Sequence, residues 1–324
     1  MNKVYRIQVF IGIILATCFS FAAAAYPERP IRMIVPYPAG GIADNVARRL
    51  AQEMGASLKQ TIIIENKPGA DGIIAVNSLK SSSADGYTIL MVSEALTSLN
   101  GLVYKKISYD TFKDMVPIGK IGNVAIVLSI SPSLPVDDVS GLVSYAKKNP
   151  GKLNYASLGK GSISHLAAEM LKAEAGIDVV HVPYAGGSAI QLAKMKGDIQ
   201  YSFGVLGSDM EYIKNGRLKA LAVASARRSS LAPSIPTLAE SGFPDFDLSS
   251  TIGLVARTGT PQAAIDRLNA SLNLVLKDRN FVNRLSGLGF EAAPPASPQV
   301  YWDEVTMQYS VWGKFVKRFG FKIE

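Results

Sequence analysis

The chain has 324 residues, of which 48% are hydrophobic and 19% charged, with a formal net charge of +8. This balance excludes a disordered chain, because a sequence with this much apolar surface can bury a core. The single cysteine excludes a disulfide-stapled fold. The basic residues are scattered and form no aromatic-studded stripe, so we expect no nucleic-acid partner.

The first 25 residues have the layout of a secretory signal peptide. Lys3 and Arg6 form a basic start, residues 9–15 are almost wholly apolar, and four alanines at 22–25 precede the expected cleavage. The segment is too short, with the wrong flanks, for a typical membrane span, although a retained anchor is the alternative. Without it the net charge falls to +6 and Cys18 is lost. We therefore expect an exported protein without disulfides or thiol chemistry.

Short apolar runs then alternate with helical patterns along the chain. Strands are predicted, in chain order, at Ile31–Val35, Thr61–Glu65, Tyr87–Val92, Asn123–Ile130, Leu153–Ala156, Val179–Val182, Ile199–Phe203, Leu218–Ser225 and Ile252–Ala256. Helices are predicted at Ala43–Met54, Ile73–Lys80, Val139–Lys148, Ile163–Glu174, Ser188–Lys196 and Pro261–Lys277. The apolar runs are too continuous to be half-exposed, so we expect mostly parallel sheets covered by helices.

The turn from Tyr37 to Gly41 has the composition of an anion site at the start of a helix. A helix N-terminus carries unpaired N–H groups and a partial positive charge, and glycines let an anion approach the backbone closely. Ala39, Gly40 and Gly41 are therefore candidate donors to one carboxylate, with a plain strand-to-helix connection as the alternative. Asp44 follows at the helix start, where capping is its ordinary role and tethering the turn or meeting a ligand ammonium is the functional one.

A shortened copy of this turn stands in the second half of the chain. Residues 182–187 read Val-Pro-Tyr-Ala-Gly-Gly, against Val-Pro-Tyr-Pro-Ala-Gly-Gly at 35–41. Both copies follow a predicted strand and precede a predicted helix. We infer two α/β lobes that face each other, each presenting a glycine-rich turn at a cleft, because ligands of open α/β sheets bind outside the carboxyl ends of the strands. Ser93, at the end of the third strand, lies at the same sheet edge and can bond a carboxylate.

A third glycine-rich turn runs from Gly159 to His165. Ser162 is the predicted N-cap of the following helix, and Ser164 and His165 fall in its first turn. The spacing excludes a Walker A motif and a G-x-S-x-G nucleophile elbow. An exported α/β hydrolase using Ser162 and His165 is an alternative function, although the sequence offers no complete set of nucleophile, base and orienting group.

The two histidines offer little metal chemistry. His165 and Glu169 have the i,i+4 spacing that can hold a metal ion, but no third ligand stands near them. His181 lies in an apolar strand, where a hydrogen-bonded core histidine is the ordinary interpretation. We expect neither a metal nor another cofactor.

At this point the chain resembles the Bug proteins, the periplasmic receptors of tripartite tricarboxylate transporters, which are type II solute-binding proteins. The segments that carry the resemblance are YPERPIRMIVPYPAGGIADNVAR, IIIENKPGADG, SADGYTILM, NYASLGKGSISHLAAEML, VVHVPYAGG, GRLKALAVASARRS, IPTLAESGFPDF and GLVARTGTP. They span nearly the whole mature chain in family order.

The resemblance implies a two-lobed periplasmic-binding-protein-like fold with hinge strands between the lobes. We expect lobe 1 to comprise residues 26–127 with 223–324, and lobe 2 residues 128–222. It implies that the carboxylate is held by backbone amides and waters of Tyr37 to Gly41, and by the opposite turn around Gly161 to His165, without an arginine clamp. It also implies no enzymatic activity, a monomer in the periplasm, and permease subunits in the membrane as partners.

Three departures from the family pattern bear on the ligand. Ala185 stands where relatives often carry lysine, which puts a multiply charged ligand in doubt. Glu94 replaces a small polar residue after the third strand, and Asp209 falls in a segment that is often neutral. If either acid faces the cleft, we expect a ligand with an ammonium group, such as an amino acid. The alternative is that both acids face solvent.

We expect the side chains that decide the identity of the ligand to include Tyr37, Glu94, Tyr184 and Phe203. A sensory protein that presents its ligand to a membrane receptor kinase would need the same lobes and the same cleft. The sequence does not separate that alternative from transport.

Overall fold

The computed structural model describes residues 26–159, 161–244, 246–248 and 250–320. The predicted signal peptide, residues 1–25, lies outside these ranges. Within them, none of the helices combines the length and the apolar character needed to span a bilayer.

Eleven strands are described, in chain order: β1 Ile31–Val35, β2 Ile62–Asn66, β3 Thr88–Ser93, β4 Met115–Val124, β5 Ile126–Ile130, β6 Asn154–Ser157, β7 Val180–Pro183, β8 Tyr201–Val205, β9 Lys219–Val223, β10 Ser250–Arg257 and β11 Phe290–Ala292. They form a six-stranded sheet in the order β11-β4-β10-β3-β1-β2 and a five-stranded sheet in the order β7-β6-β8-β5-β9. The two-lobed α/β organisation is therefore confirmed.

The helices flank these sheets. The α-helices are α1 Ile42–Leu58, α2 Ile73–Lys80, α3 Asn100–Val103, α4 Thr111–Asp114, α5 Val139–Lys148, α6 Ile163–Ala175, α7 Gly187–Lys196, α8 Leu206–Lys214, α9 Gln262–Lys277, α10 Arg279–Ser286 and α11 Pro298–Phe319. A 3₁₀ turn covers Ala70–Gly72 and a π-helical turn covers Ala95–Leu99. The first helix buries Val46, Leu50 and Met54, the stripe that the sequence predicts.

Each sheet is mixed, which corrects the expectation of mostly parallel sheets. In the six-stranded sheet β1 pairs in parallel with β2 and β3, but β10 runs antiparallel to both β3 and β4. In the five-stranded sheet β6 is parallel to β7 and β8, but β5 is antiparallel to β8 and β9. A continuous apolar run indicates that a strand is covered on both faces, but it does not indicate whether the strand is parallel or antiparallel to its neighbours.

The chain passes between the two sheets twice, from β4 to β5 and after β9. Only Ala125 separates β4 in the first sheet from β5 in the second, so the predicted extended run 123–130 is two strands in different sheets. The chain returns after β9, and Ala224 donates its N–H to the carbonyl of Ile126 at 2.8 Å. A second bond of 2.7 Å joins the N–H of Leu248 to the carbonyl of Ala224. The two connections therefore lie side by side.

The final helix, α11, packs on both lobes. Tyr301 and Val305 belong to a core cluster of the first lobe with residues of β1 and β3. Trp312, Phe315 and Val316 belong to the main core cluster of the second lobe. At 22 residues, α11 is long enough to reach from one core to the other.

Candidate functional site

A cavity of about 280 Å³ lies between the two sheets and is lined from both. The first lobe and α11 contribute Tyr37, Ile42, Ala43, Ser93, Glu94, Ala95, Leu99, Val124, Ser250, Ile252 and Trp312, and the second contributes Ile126, Leu158, Ile163 and Val205. An adjoining cavity of about 390 Å³ shares Tyr37, Ser93, Ala95 and Ile163 and adds the second-lobe turn at Gly161 and Ser162. We call these two cavities together the interlobe cleft.

A larger groove of about 650 Å³ lies on the outer surface of the first lobe. It is lined by α1, β2 and the residues between them, including Arg48 and Lys59, and no residue of the second sheet takes part. Size alone would favour this groove as a ligand site. It is open and one-sided, however, whereas sites for small molecules enclose most of the ligand surface.

The turn after β1 leads into the wall of the cleft, where Ile42 and Ala43 line the smaller cavity. The predicted donors Ala39, Gly40 and Gly41 are exposed and line neither cavity. Gly40 has φ +87°, a left-handed conformation that glycine adopts without strain, and a Cβ there would meet nothing within 4 Å. Gly41 is the N-cap of α1 and offers no side-chain cap. Since the first N–H groups of a helix have no acceptor within it, those of Ile42 and Ala43 stand at the wall of the cleft without an intrahelical partner. This is the geometry of an anion site.

Asp44 holds this turn in place. Only 1% of the residue is exposed, and its carboxylate accepts bonds from the N–H of Gly40 at 2.8 Å, Arg48 at 2.9 Å and Asn66 at 2.8 Å. Asn66 also donates to the carbonyl of Tyr37 at 3.0 Å. Burial would raise the pKa of Asp44, but the bonds from Arg48, Gly40 and Asn66 outweigh it and lower the pKa to about 2. Both carboxylate oxygens therefore serve the turn, and the Gly40 N–H is donated to Asp44.

Tyr37 and Ser93 meet where β1 and β3 end. Both line the two cavities of the interlobe cleft. Burial raises the pKa of Tyr37, a shift that the neighbouring Ser93 side chain opposes. Two hydroxyl groups therefore lie near the N-terminus of α1. This was expected, because β1 and β3 are parallel and end at the same edge of the sheet.

Glu94 is buried in the wall of the cleft. Only 2% of the residue is exposed, and its Oε1 accepts a hydrogen bond from the indole N–H of Trp312. Its Oε2 has no hydrogen-bond partner among the described residues. Burial raises the pKa of Glu94 to about 8, although the bond from Trp312 opposes the shift. Glu94 is therefore largely a neutral carboxylic acid at pH 7.

The second-lobe turn is held by its own side chains. Ser162 caps α6, as predicted, by accepting the N–H of His165 at 3.3 Å, and it donates its hydroxyl to the carbonyl of Gly159 at 2.7 Å. The hydroxyl of Ser164 accepts the N–H of Leu158 at 3.1 Å. His165 accepts the N–H of Gly161 on Nδ1 at 3.3 Å. Gly161 and Ser162 line the cleft, while Ser164 and His165 support the turn behind them.

These contacts disfavour hydrolase chemistry at Ser162. A nucleophilic serine must give its proton to a base, but the single hydroxyl hydrogen of Ser162 goes to the carbonyl of Gly159. The other close serine–histidine pair, Ser157 and His181 at 2.7 Å, joins β6 to the edge strand β7 and lines neither cavity of the cleft. Ser157 has no exposed surface. His181 is hydrogen-bonded, as predicted, but it is half-buried on the edge strand β7 and does not lie in the core. Its ring lies 5.0 Å from that of Tyr155.

The proposed His165–Glu169 metal pair does not gain a third ligand. Glu169 instead accepts a hydrogen bond from the hydroxyl of Tyr155. Across the described ranges no three His, Cys, Asp or Glu side chains come together in an arrangement able to hold a metal ion.

Three further candidates lie outside the lining of the cleft. Phe203 is packed in the core of the second lobe, with its ring 5.8 Å from that of Phe246 and nearly parallel to it. Tyr184 packs against a small cluster around Ile190. Asp209 is buried in the second lobe, where it accepts bonds from Lys194 at 3.1 Å and Ser129 at 2.6 Å. The acid that meets the cleft is therefore Glu94 and not Asp209, while roles for Phe203 and Tyr184 in ligand binding stay predictions.

Trp312, which lines the smaller cavity of the cleft, was not predicted from the sequence. It is 218 residues from Glu94 along the chain, and no local pattern connects the two. The available signal was the rarity of tryptophan, which occurs twice in the chain. Ser250 and Ile252 were missed for a related reason, since their strand was predicted but its place next to β3 was not.

The sequence profile of the tripartite tricarboxylate transporter family receptor, TctC, matches residues 46–321. That match covers well over half of the chain and includes every strand after β1. The chain belongs to the TctC family. Its curated relatives include the protein BugT of Bordetella pertussis strain Tohama I, which is 33% identical over 324 aligned positions, covering 98% of this chain and 99% of BugT.

Solved structures of TctC-like binding proteins have the same fold. The structure of Rpa4515 of R. palustris with adipate is 30% identical and has a TM-score of 0.80, covering 92% of this chain and 99% of that one. The structure of MatC of Rhodopseudomonas palustris with bound malate is 29% identical and has a TM-score of 0.77, covering 90% and 100%. The family and these neighbours are binding proteins and not enzymes.

Proposed function

We propose that this protein captures a small organic acid in the interlobe cleft and delivers it to the membrane permease subunits of a tripartite tricarboxylate-type transporter. The observation that carries the proposal is a cleft lined from both lobes, with the unpaired N–H groups of α1 at one wall. The adipate and malate bound by two structural neighbours support a carboxylate as the ligand.

The carboxylate is proposed to bind at the N-terminus of α1. The partial positive charge of the helix and the N–H groups of Ile42 and Ala43 attract an anion, and Tyr37 and Ser93 line the same cavity with their hydroxyls. Among the described residues, the lining contains neither lysine nor arginine. Backbone amides therefore supply most of the recognition in this proposal.

The Asp44 contacts give that site its rigidity. A turn that is already fixed loses little conformational entropy when a ligand arrives, which favours binding. We assign Asp44 the tethering role in this arrangement, because its carboxylate has no free oxygen for a ligand ammonium.

Capture is proposed to proceed by closure of the lobe that contains the five-stranded sheet on the lobe that contains the six-stranded sheet. A ligand shifts the population toward the closed form only if it contacts both lobes more fully there. Ile163 and the second-lobe turn at Gly161 and Ser162 provide the opposite contacts. The adjacent connections through Ala125 and Ala224 supply the hinge.

The place of action is proposed to be the periplasm. Residues 1–25 would direct export and be removed, which suits a receptor that meets its permease at the outer face of the inner membrane. The mature protein would act as a monomer.

Isothermal titration of unfolded and refolded, ligand-free protein against a broad panel of carboxylates tests the proposal. We expect at least one member to bind with one-to-one stoichiometry. Ile42→Pro removes one N–H at the first helical position, where proline is compatible with the fold and the extended Gly41 precedes it. Ile42→Val keeps that N–H and is the matched control. Weaker binding in Ile42→Pro alone supports the α1 site, and no binding by any carboxylate rejects the proposed function.

A further inference from the structure

The interlobe cleft has one polar end and one apolar body. In the smaller cavity the polar groups include the N-terminus of α1, Tyr37 and Ser93. The remaining wall of the smaller cavity is mainly aliphatic and aromatic, and it consists of Leu99, Val124, Ile126, Leu158, Ile163, Val205, Ile252 and Trp312 with the small side chains of Ala43, Ala95 and Ser250. A ligand that fills this cavity therefore places one end on polar groups and the rest on apolar surface.

Glu94 adds no anchor for a second anionic group. Its Oε1 accepts the indole N–H of Trp312, and its Oε2 is shielded from solvent. In the adjoining cavity the acidic side chain in the lining is Asp71, which accepts a bond from the hydroxyl of Tyr104. Neither acidic side chain of the lining supplies a positive charge that could pair with a second carboxylate.

The charged side chains around Glu94 also shift its pKa. Asp247 and Glu304 raise its pKa, Lys120 lowers it, and Tyr301 on α11 also feels the Glu94 charge. Lys120 donates to the carboxylate of Glu304 at 2.6 Å, so its charge is already paired. Burial is nevertheless the largest cause of the raised pKa. Glu94 is thus neutral at low pH and becomes a second local negative charge above pH 8.

We propose, on the basis of the proposed function, that the cleft selects carboxylates with a single negative charge and an apolar body, and that Glu94 and the apolar wall discriminate against a second carboxylate. A second carboxylate would lose its water without gaining a cationic partner, and burying an unpaired charge is strongly unfavourable. The ligand class is therefore small aliphatic or aromatic monocarboxylic acids.

Matched pairs of acids that differ by one carboxylate test this. Butyrate and succinate, hexanoate and adipate, and benzoate and terephthalate are titrated into ligand-free protein at pH 6 and pH 9. The best binder of the broad panel is included with its analogue carrying one carboxylate more or fewer. In every pair that contains a binder, we expect the monocarboxylate to bind about tenfold tighter or more, since a tenfold ratio needs only a small part of the cost of a buried charge.

The pH dependence assigns the discrimination to Glu94. Ionisation of Glu94 should increase the ratio of monocarboxylate to dicarboxylate affinity at pH 9. Glu94→Gln keeps an acceptor for Trp312 and stays neutral, so in this variant the ratio at pH 9 should equal the ratio at pH 6. Glu211→Gln, at an exposed position on α8, is the matched control and should behave like the unchanged protein.

Two results would overturn the inference. One is a dicarboxylate that binds as tightly as its monocarboxylate partner, and the other is a pH 9 ratio that Glu94→Gln does not reduce. Failure of every carboxylate to bind rejects the proposed function itself, so the two failures are distinguishable.

Discussion

Replacing Glu94 by glutamine should stabilise the ligand-free protein, and increasingly so as the pH rises. Glu94 is 2% exposed, its Oε1 accepts the Trp312 indole N–H, and its Oε2 lacks a partner among the described residues. Glutamine has nearly the same shape, keeps an oxygen for the indole and carries no charge at any pH.

The sign of the effect follows from the direction of the pKa shift. Burial raises the pKa of Glu94 from 4.5 to about 8, so between these values the folded protein holds a proton that the unfolded chain releases. Stability is then highest below pH 4.5 and falls as the pH rises toward 8. At 1.36 kcal/mol per pH unit, the free energy of unfolding should fall by about 3 kcal/mol between pH 5 and pH 8 through Glu94 alone.

Urea unfolding of the unchanged protein, Glu94→Gln and the exposed control Glu211→Gln at pH 5 and pH 8 measures this difference. We expect Glu94→Gln to gain about 3 kcal/mol relative to the unchanged protein over that range, and Glu211→Gln to gain nothing. Comparing the change between two pH values removes any constant cost of the buried amide. A gain that is the same at both pH values would refute the reasoning, because it would show that Glu94 does not hold its proton in the folded state.

Three further substitutions test the packing around the site by urea unfolding. Asp44→Asn should lower the free energy of unfolding by about 1–2 kcal/mol at pH 7 and by less at pH 3, because an acid with a lowered pKa loses its contribution to stability as the pH falls toward 2. An equal loss at both pH values would contradict the tethering role of Asp44. Lys194→Met should lower the free energy of unfolding by about 3–5 kcal/mol, because Asp209 stays buried without its cation. The double variant with Asp209→Leu should recover much of that loss, and additive losses would argue against a coupled pair. Gly253→Ala should cost about 1–3 kcal/mol, since its Cβ would lie 2.3 Å from the Tyr301 ring, and a neutral result would mean that α11 can shift away.

Local patterns predicted the first half of the site well. The strand Ile31–Val35 was predicted to the residue, and the helix after it starts one residue earlier and ends four residues later than expected. The N-cap at Ser162 was also predicted correctly. These features depend on neighbours in sequence, such as a glycine before a helix or a serine at its start, and short-range chemistry determines them.

Long-range pairing was not readable in the same way. The partner of Glu94 is Trp312, on a helix that the sequence analysis did not predict. Phe203 was expected to be among the side chains that decide the ligand, but its ring packs on Phe246 in the core of the second lobe. One residue of register decides which face of a strand a side chain occupies, and apolar content alone leaves that choice open.

The role of Asp44 shows a third kind of difference. The sequence allowed a cap, a tether or a ligand contact, and all three needed an acid at that position. The structure selects the tether because Arg48 and Asn66 come within hydrogen-bond distance, Asn66 from the end of β2. The arrangement of β2 next to β1, and not any property of the turn itself, decides the outcome.

A crystal structure of the refolded protein with the tightest-binding acid of the panel tests the central claim most directly. We expect electron density for that acid between the lobes, with its carboxylate within hydrogen-bond distance of the backbone N–H groups of Ile42 and Ala43 and its body against Trp312. Density for the acid in the outer groove beside Arg48 and Lys59, with the interlobe cleft lacking it, would contradict the account.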